Sequence, residues 1–189
     1  MKYTGAVKAL VLMGLMVFSF AAWAQTYKPV DKGSQVEFTF KKGKGDDLVQ
    51  TKASFSKLFG MVQFDPNMLQ HALFDISLTT SGLRAAGKEN EAHLRNFEFF
   101  DVSDYPAIVI KSTSVTQDRP GSIVYLVNAN LTIKGITRPV KIQFTTTPSG
   151  TGYMFHGLLQ FSRKAYGLGT PEEFDDMVTV YLQVNTAKK

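Results

Sequence analysis

Side chains with catalytic or metal-binding potential are scattered along this chain. The three histidines, His71, His93 and His156, are far apart, and none falls in the HExxH spacing or a similar metal-ligand pattern. The chain has no Cys, which excludes a thiol nucleophile, a Cys zinc site and an iron–sulfur cluster. It also lacks the Gly-x-Ser-x-Gly motif of serine hydrolases. We therefore expect no catalytic residue, no metal site and no enzyme activity.

Acidic residues are densest near the C-terminus, where Glu172, Glu173, Asp175 and Asp176 lie close together in sequence. They lack the regular Asp-x-Asp-x-Asp-Gly spacing of a calcium loop, so a solvated loop is the favoured interpretation. The glycines that precede them are isolated and do not form a phosphate-binding loop.

The first 24 residues have the layout of a secretory signal peptide. Lys2 and Lys8 form a basic region, Ala9 to Phe20 is an apolar stretch of twelve residues, and Ala22-Trp23-Ala24 is a small-x-small cleavage pattern. A membrane-spanning helix needs about 20 predominantly apolar residues, so a cleaved signal is favoured over an anchor. The sequence predicts cleavage after residue 24, a periplasmic location, one domain over residues 25–189 and no stable membrane insertion.

The charge of the mature chain gives little support for nucleic-acid binding. The full chain of 189 residues carries a net charge of +5, and removal of Lys2 and Lys8 lowers it to +3. The basic clusters Lys41-Lys42-x-Lys44 and Lys188-Lys189 are typical of a turn and a tail. We therefore expect no nucleic-acid partner.

Apolar and polar residues alternate with a period of two through most of the mature chain, which predicts β-strands. The clearest case begins at Ile123, where every second residue up to Ile133 is apolar. Turn sequences at 118–121, 134–135 and 148–152 separate the long runs, and residues 87–96 predict a short helix. About eight antiparallel strands indicate an all-β sandwich or closed barrel, and the tight hairpins favour an up-and-down barrel.

Three segments carry a family resemblance: Phe59 to Asp65 (FGMVQFD), His93 to Pro106 (HLRNFEFFDVSDYP) and Leu131 to Val140 (LTIKGITRPV). In order and spacing they resemble the YceI family of exported lipid-binding proteins, over about residues 27–184. The resemblance implies a lipocalin-like, eight-stranded antiparallel barrel with a short helix near one end. It also implies an apolar tunnel for a polyisoprenoid, an isoprenoid quinone or a fatty-acyl chain as ligand, with no other cofactor. A link to membrane electron-transport proteins or to stress responses, and a homodimer, are further expectations.

One pair of residues departs from the family pattern. Members commonly carry Arg-Asp before the x-His-Leu of the second segment, whereas this chain has Asn90 and Glu91. If the missing Arg braces the helix or contacts a headgroup, then Arg84, Lys88 or Arg95 would have to replace it.

The aromatic-rich faces of the predicted strands supply the candidate tunnel lining. An eight-stranded barrel can be filled by its own side chains or can hold one small ligand, and the sequence does not choose between these. The leading hypothesis is a periplasmic lipid carrier. The alternatives are a stress-response protein with a filled barrel that acts through its surface, and an enzyme acting on a lipid-like substrate. The predicted lining is Phe38, Phe40, Phe55, Phe64, Ile76, Phe97, Phe99, Ile110, Tyr125, Leu131, Phe144, Phe155, Phe161 and Val180.

Overall fold

The computed structural model describes residues 25–42, 49–169 and 175–189. The predicted signal peptide therefore lies outside the described residues, as do Glu172 and Glu173. In the part of the chain that is described, no helix is both long and apolar enough to cross a membrane.

Eleven β-segments, one α-helix and three short 3-10 helices (Leu69–His71, Thr80–Gly82 and Lys164–Tyr166) make up the regular structure of the described residues. The β-segments and the α-helix are labelled below. In chain order they are β1 (Thr26–Pro29), β2 (Gln35–Lys42), β3 (Val49–Phe55), β4 (Leu58–Gln63), β5 (Leu73–Thr79), β6 (Arg84–Ala85), α1 (Lys88–Arg95), β7 (Ala107–Gln117), β8 (Val124–Ile133), β9 (Ile136–Ser149), β10 (Gly152–Ser162) and β11 (Met177–Lys188).

The eleven segments form eight long antiparallel strands, because three of the strands are interrupted. Segments β1 and β2 form the first strand, because both pair with β11. Segments β4 and β3 form the second strand, in which β4 pairs with β1 and β3 pairs with β2. Segments β5 and β6 form the third strand, in which β5 pairs with β4 and β6 pairs with β3. The remaining strands follow as successive hairpins from β7 to β11, and β5 pairs with β7. Pairing of β1 with β11 closes the sheet, so the predicted up-and-down barrel is confirmed.

The period-two pattern places one face of each strand inside the barrel. On β8, Tyr125, Val127 and Ala129 are buried, while Leu126 and Asn128 between them are exposed. Successive side chains of a strand point to opposite faces, so this alternation separates a solvated outer wall from an apolar interior. Only Ile123 departs from the predicted inward run, since it precedes β8 and is exposed.

Gly60 marks a close approach between β4 and β5. Its φ is +122°, and a Cβ atom built there would lie 2.0 Å from the backbone oxygen of Asp75. No side chain can occupy that space, so only Gly allows the two strands to pair at this point.

Residues 86–106, which we call the cap, connect β6 to β7 across one end of the barrel. The predicted helix is present as α1, and turns follow it from Phe97 to Phe100. Lys134 in the β8–β9 turn donates from Nζ to the Phe97 carbonyl oxygen at 2.7 Å, and Gly169 N donates to the Glu98 carbonyl oxygen at 2.7 Å. These two bonds hold the cap against the loops at the same end of the barrel.

Candidate functional site

The interior of the barrel contains a cavity, and the described residues that line it are all apolar. They are Val, Leu, Ile and Phe side chains together with one glycine, Gly157. Several of them, including Ile76, Ile110, Leu182 and Val184, face inward but are only partly buried, because they border open space. The lining therefore offers apolar contact and no acid, base or nucleophile.

One end of the cavity is closed by the turn-end cluster, which consists of Tyr27, Phe64, Phe74, Tyr125, Phe144, Tyr153 and Phe155. Phe64 is at its centre, with ring centroids at 5.3 Å from Tyr125 and 5.4 Å from Phe155, both edge-to-face. Aromatic pairs in this geometry contribute about 0.5–1.5 kcal/mol each beyond the area that they bury. The turn-end cluster thus closes this end of the cavity with densely packed aromatic rings.

The other end is closed by the cap-end cluster, which consists of Phe38, Phe40, Phe55, Phe99 and Phe100. Phe38 lies 5.4 Å from Phe55 and 5.3 Å from Phe100, and Phe40 stacks on Phe99 at 5.9 Å, measured between ring centroids. The last two rings of the cluster come from the cap. The cavity is therefore bounded by barrel residues at one end and partly by a connecting segment at the other.

The cavity is long and narrow. Its volume is about 110 Å³. On β10 the lining runs from Phe155 to Phe161, six residue steps or about 20 Å of strand. With a strand tilt of about 40°, this span corresponds to about 15 Å along the barrel axis. Such a shape suits a single extended hydrocarbon chain better than a globular ligand.

Nine of the fourteen predicted lining residues do line this cavity. The structure brings them together from all eight strands, although whether they contact a ligand stays a prediction. They are Phe38, Phe55, Ile76, Ile110, Leu131, Phe144, Phe155, Phe161 and Val180.

The other five predicted residues do not line it. Phe64 and Tyr125 are buried in the turn-end cluster, and Phe40 and Phe99 are buried in the cap-end cluster. The interior position predicted for Phe97 is wrong, because its side chain is 72% exposed. The period-two assignment fails there because residues 97–100 form turns, in which alternate residues need not share a face.

Sequence reasoning missed some of the lining for the same reason. Phe100 lies in the cap directly after Phe99, and both rings point into the barrel, which a strand would not allow. Other missed residues, such as Val36, Val127 and Leu159, follow the same alternation as the residues that were chosen. The prediction favoured aromatic residues and included only some of the aliphatic inward positions, which left these residues out.

Arg95 braces the helix of the cap. Its Nε atom lies 3.2 Å from Glu91 Oε1, and its Nη2 donates to the carbonyl oxygens of Leu83 at 2.6 Å and Ser81 at 3.1 Å. Arg84 lies 3.7 Å from the same Glu91 oxygen. Arg95 therefore braces the helix, with Arg84 as a weaker second contact. Whether either residue replaces the family's Arg stays a prediction.

Asp176 and Tyr166 are ionisable groups near the cap end whose pKa values are shifted. The carboxylate of Asp176 accepts hydrogen bonds from Ser162 Oγ at 2.8 and 2.9 Å and from Lys164 N at 3.0 Å. Burial alone would raise the pKa of Asp176, but these hydrogen bonds and the charges of Lys164 and Arg163 lower it below its ordinary value. Burial raises the pKa of Tyr166 to about 12, against a smaller opposite effect of Arg138.

A metal centre has no support in the described ranges, where no group of three or more His, Asp or Glu side chains is arranged to hold an ion. His93 packs its ring edge-to-face on Phe99 at 5.0 Å between centroids. Asp176 is engaged by Ser162 and Lys164, as described above.

Comparison with known proteins agrees with the barrel fold. The YceI-like domain model matches residues 27–186, which is most of the chain. The chain belongs to this family. A YceI-like relative, a UPF0312 protein of Vibrio cholerae, is 30% identical over 139 residues, covering 71% of each chain.

Two solved structures share the YceI-like fold of this chain. BcnA of Burkholderia cenocepacia aligns with a TM-score of 0.73 and 23% identity, over 85% of this chain and 99% of BcnA. A polyisoprenoid-binding domain from Saccharophagus degradans, implicated in plant cell wall breakdown, aligns with a TM-score of 0.63 and 12% identity. That alignment covers 88% of this chain and 99% of the domain. At these identities the likeness shows the fold alone.

Proposed function

We propose that this protein is a periplasmic carrier that holds the hydrocarbon chain of a long apolar lipid inside its barrel. The ligand class is a polyisoprenoid, an isoprenoid quinone or a fatty-acyl chain. The observation that carries the proposal is the narrow interior cavity, whose described lining is apolar throughout. The description of the Saccharophagus degradans neighbour as a polyisoprenoid-binding domain supports the same class of ligand.

The dimensions of the cavity determine how much chain it holds. A fully extended peptide advances about 3.5 Å over three bonds, or about 1.2 Å per bond. A cavity of about 15 Å along the axis therefore holds about a dozen carbons of an extended chain. A longer chain would have to displace rings at one end, and the cap end is the candidate because its rings belong partly to a connecting segment.

Apolar burial supplies enough free energy for this role. A dozen CH₂ groups gain roughly 10 kcal/mol at about 0.8 kcal/mol each. Association and ordering of the chain cost at least about 4 kcal/mol. At this lower limit of the cost, the difference corresponds to a Kd of tens of micromolar for a chain of this length. Each further buried CH₂ improves the affinity about fourfold, which predicts a dependence on chain length.

The aromatic clusters at the two ends of the barrel are the observation that favours the alternative, a filled barrel that acts through its surface. The turn-end and cap-end clusters fill the two ends of the barrel. Inward residues between them, such as Ile110 and Leu182, remain partly exposed to the cavity. The apolar lining also supports binding over the enzyme alternative, which needs titratable groups that converge on a substrate.

A binding experiment with variants of the wall tests the carrier proposal. We expect isothermal titration with a prenyl quinone or a long-chain fatty acid to show binding by the wild-type mature protein. Phe144→Asp should abolish this binding, because it places a buried carboxylate against the hydrocarbon chain of the lipid. Gln143→Asp is the matched control, since Gln143 is the neighbouring, exposed residue of β9 and should leave the affinity unchanged.

A second variant covers the case in which Phe144→Asp does not fold. Ile110→Phe enlarges a partly exposed lining residue without adding charge, and should weaken binding of a long chain at least tenfold. Wild-type protein that binds none of these lipids would contradict the carrier proposal.

Export is part of the proposal. Lys2, Lys8, the apolar stretch and Ala22-Trp23-Ala24 support cleavage after residue 24. The intact mass of protein from a periplasmic extract should correspond to a chain that starts at Gln25. A full-length product in the membrane fraction would contradict this. The homodimer and the link to electron transport stay predictions.

A further inference from the structure

A groove crosses the outer wall of the barrel, on the opposite face of the sheet from the interior cavity. Its volume is about 460 Å³, which lies within the range of small-molecule sites in proteins. The groove crosses β2, β11, β10 and β9 and reaches Val124 at the start of β8. The carrier proposal does not use this surface.

Strand register builds the groove from two parallel rows of outward residues. The first row consists of cross-strand partners on five successive strands, which are Gln35, Gln183, His156, Thr145 and Val124. The second row lies two residue steps, or about 7 Å, along the strands. Its members are Glu37, Tyr181, Leu158 and Gln143. The residues between the rows face the barrel interior, so their backbone forms the floor of the groove.

Polar side chains elsewhere on the outer wall bond to one another across the strands. Thr132 and Thr137 share a hydrogen bond of 2.8 Å between their Oγ1 atoms, and Gln160 Nε2 donates to Thr179 Oγ1 at 3.0 Å. Four polar side chains of the groove make no hydrogen bond to any residue that the structure describes. They are Gln35, Gln143, Thr145 and His156.

Gln183 adds a fixed hydrogen-bonding group to these side chains. Its Nε2 donates to the Gly33 carbonyl oxygen at 2.9 Å, which leaves its Oε1 as an acceptor. Amides and hydroxyls both donate and accept hydrogen bonds. The groove therefore presents several donors and acceptors that the described parts of the chain do not occupy.

The groove has little net charge to offer a ligand. Of the lining residues that the structure describes, Glu37 alone carries a carboxylate, and Lys52 Nζ lies 3.4 Å from its Oε1 atom. No Lys or Arg is among these lining residues. Electrostatic complementarity therefore favours a neutral polar ligand over a phosphate, a nucleic acid or a cationic peptide.

Two neighbouring apolar side chains lie beside the polar groups. Tyr181 is 51% exposed and Leu158 is 41% exposed, and the two residues are cross-strand partners. A pyranose ring has C–H groups on its faces and hydroxyls around its edge, so it needs both kinds of surface at once. We propose that the groove binds a neutral oligosaccharide, whose rings pack on Tyr181 and Leu158 and whose hydroxyls bond to the glutamine amides.

The length and direction of the groove favour an extended saccharide. Four strand spacings of about 4.8 Å separate β2 from β8, which gives a length of about 19 Å. Each unit of a β-1,4-linked glycan adds five bonds, or at most about 6 Å at about 1.2 Å per bond, so the groove spans at least three units. A straight β-1,4-linked chain fits this path better than the coiled α-1,4-linked chain.

Titration of the isotope-labelled mature protein with cellotetraose, followed by the NMR shifts of its backbone amides, tests the proposal. We expect shifts at residues 35–37, 143–145, 156–158 and 181–183 and none in the cap. Maltotetraose contains the same four sugars in α-1,4 linkage, and it should bind at least tenfold more weakly.

Substitutions of the two kinds of wall residue complete the test. Tyr181→Ala should weaken cellotetraose binding at least tenfold, whereas Tyr105→Ala in the cap, also at an exposed tyrosine, is the control and should leave it unchanged. Gln35→Ala should weaken binding about threefold or more. Gln50→Ala, at an exposed glutamine of β3 outside the groove, is its control. These side chains all lie at the surface, so amide spectra can verify that each variant is folded.

Several outcomes would overturn the proposal. They are the absence of shifts with millimolar cellotetraose, shifts outside the groove, equal affinity for the two tetrasaccharides, and wild-type affinity in Tyr181→Ala. A wild-type dimer that Tyr181→Ala converts to a monomer would assign the groove to a second copy of the chain instead. The groove and the cavity occupy opposite faces of the same strands, so failure of lipid binding would contradict the carrier proposal alone.

Discussion

Gly135 occupies a backbone conformation that a β-branched side chain reaches only with strain. Its φ is +72°, Lys134 before it has φ +48°, and a Cβ at 135 would lie 3.3 Å from Cε1 of Tyr105. Positive φ at both central residues is characteristic of two-residue hairpin turns. The turn predicted at residues 134–135 is therefore present.

We expect Gly135→Val to lower the free energy of unfolding by about 1–3 kcal/mol through backbone strain. Urea melts measure this as a shift of the midpoint at an unchanged slope. Gly82→Ala, where φ is ordinary, should leave the midpoint near that of wild type. An unchanged midpoint for Gly135→Val would mean that the turn adopts ordinary strand geometry in solution.

Tyr166 buries a hydroxyl group that has no hydrogen-bond partner among the described residues. Its side chain is 1% exposed and packs edge-to-face on Phe161. Removing an unsatisfied buried polar group is neutral or stabilising when the shape is kept. We therefore expect Tyr166→Phe to leave the free energy of unfolding unchanged or to raise it by about 1 kcal/mol.

The exposed Tyr181 provides the control, because Tyr181→Phe removes a solvated hydroxyl. Thermal and urea melts of both variants compare the two sites. A clear loss of stability in Tyr166→Phe alone would show that the hydroxyl makes a stabilising contact in solution.

Asp176 makes stability depend on pH at the acid end. Its pKa is lower in the folded chain than the usual value of about 3.9 for an unfolded one. Its contribution is therefore fully present above that unfolded value and is lost as the pH falls through the lower folded pKa. We expect Asp176→Asn to destabilise the protein by about 1 kcal/mol at pH 7, since the amide oxygen keeps only part of the hydrogen bonding.

The difference in free energy of unfolding between wild type and Asp176→Asn should shrink as the pH falls below about 4. Urea melts from pH 7 to pH 2.5 measure it. The exposed Asp104 in the cap serves as the control substitution, Asp104→Asn. A difference that stays constant across this range would contradict the role given to the Asp176 carboxylate.

Among the elements, the strands, the hairpins and the helix α1 followed directly from local sequence, whereas the part of the cap after α1 did not. Alternation over β8 and β10 specifies which face is buried, and the turn at Lys134-Gly135 requires residues that tolerate positive φ. The cap has no period, because its inward residues, Phe99 and Phe100, are set by tertiary contact with Phe38 and Phe40. Its place across the barrel end therefore depends on residues distant in sequence.

Lys134 is the residue by which the β8–β9 turn holds the cap. Its Nζ donates to the carbonyl oxygens of Phe97 at 2.7 Å and Gly167 at 3.4 Å. We expect Lys134→Met to lower the free energy of unfolding by about 0.5–1.5 kcal/mol and to speed hydrogen exchange of the amides at 97–100. Lys141→Met, an exposed lysine of β9, is the control and should do neither.

Faster exchange confined to the cap would support its role as the more easily displaced end of the cavity. Exchange that rises equally throughout the barrel, or does not change, would contradict it. This test is independent of any ligand.

At the scale of the whole molecule, the sequence predicted a closed eight-stranded barrel but not whether its interior is open. That outcome depends on how the inward side chains fill the space at each level. Rings converge at the two ends, while partly exposed inward residues such as Ile110 and Leu182 border the space between them. This packing depends on inward side chains from all eight strands, and no single sequence motif predicts it.

Native mass spectrometry of the mature protein, released from the periplasm without organic solvent, tests the central claim most directly. The cavity predicts an intact mass that exceeds the polypeptide by one apolar lipid, and a return to the polypeptide mass on unfolding. The contradicting result is a folded protein at the polypeptide mass alone, with a thermal midpoint that added prenyl quinones and fatty acids leave unchanged.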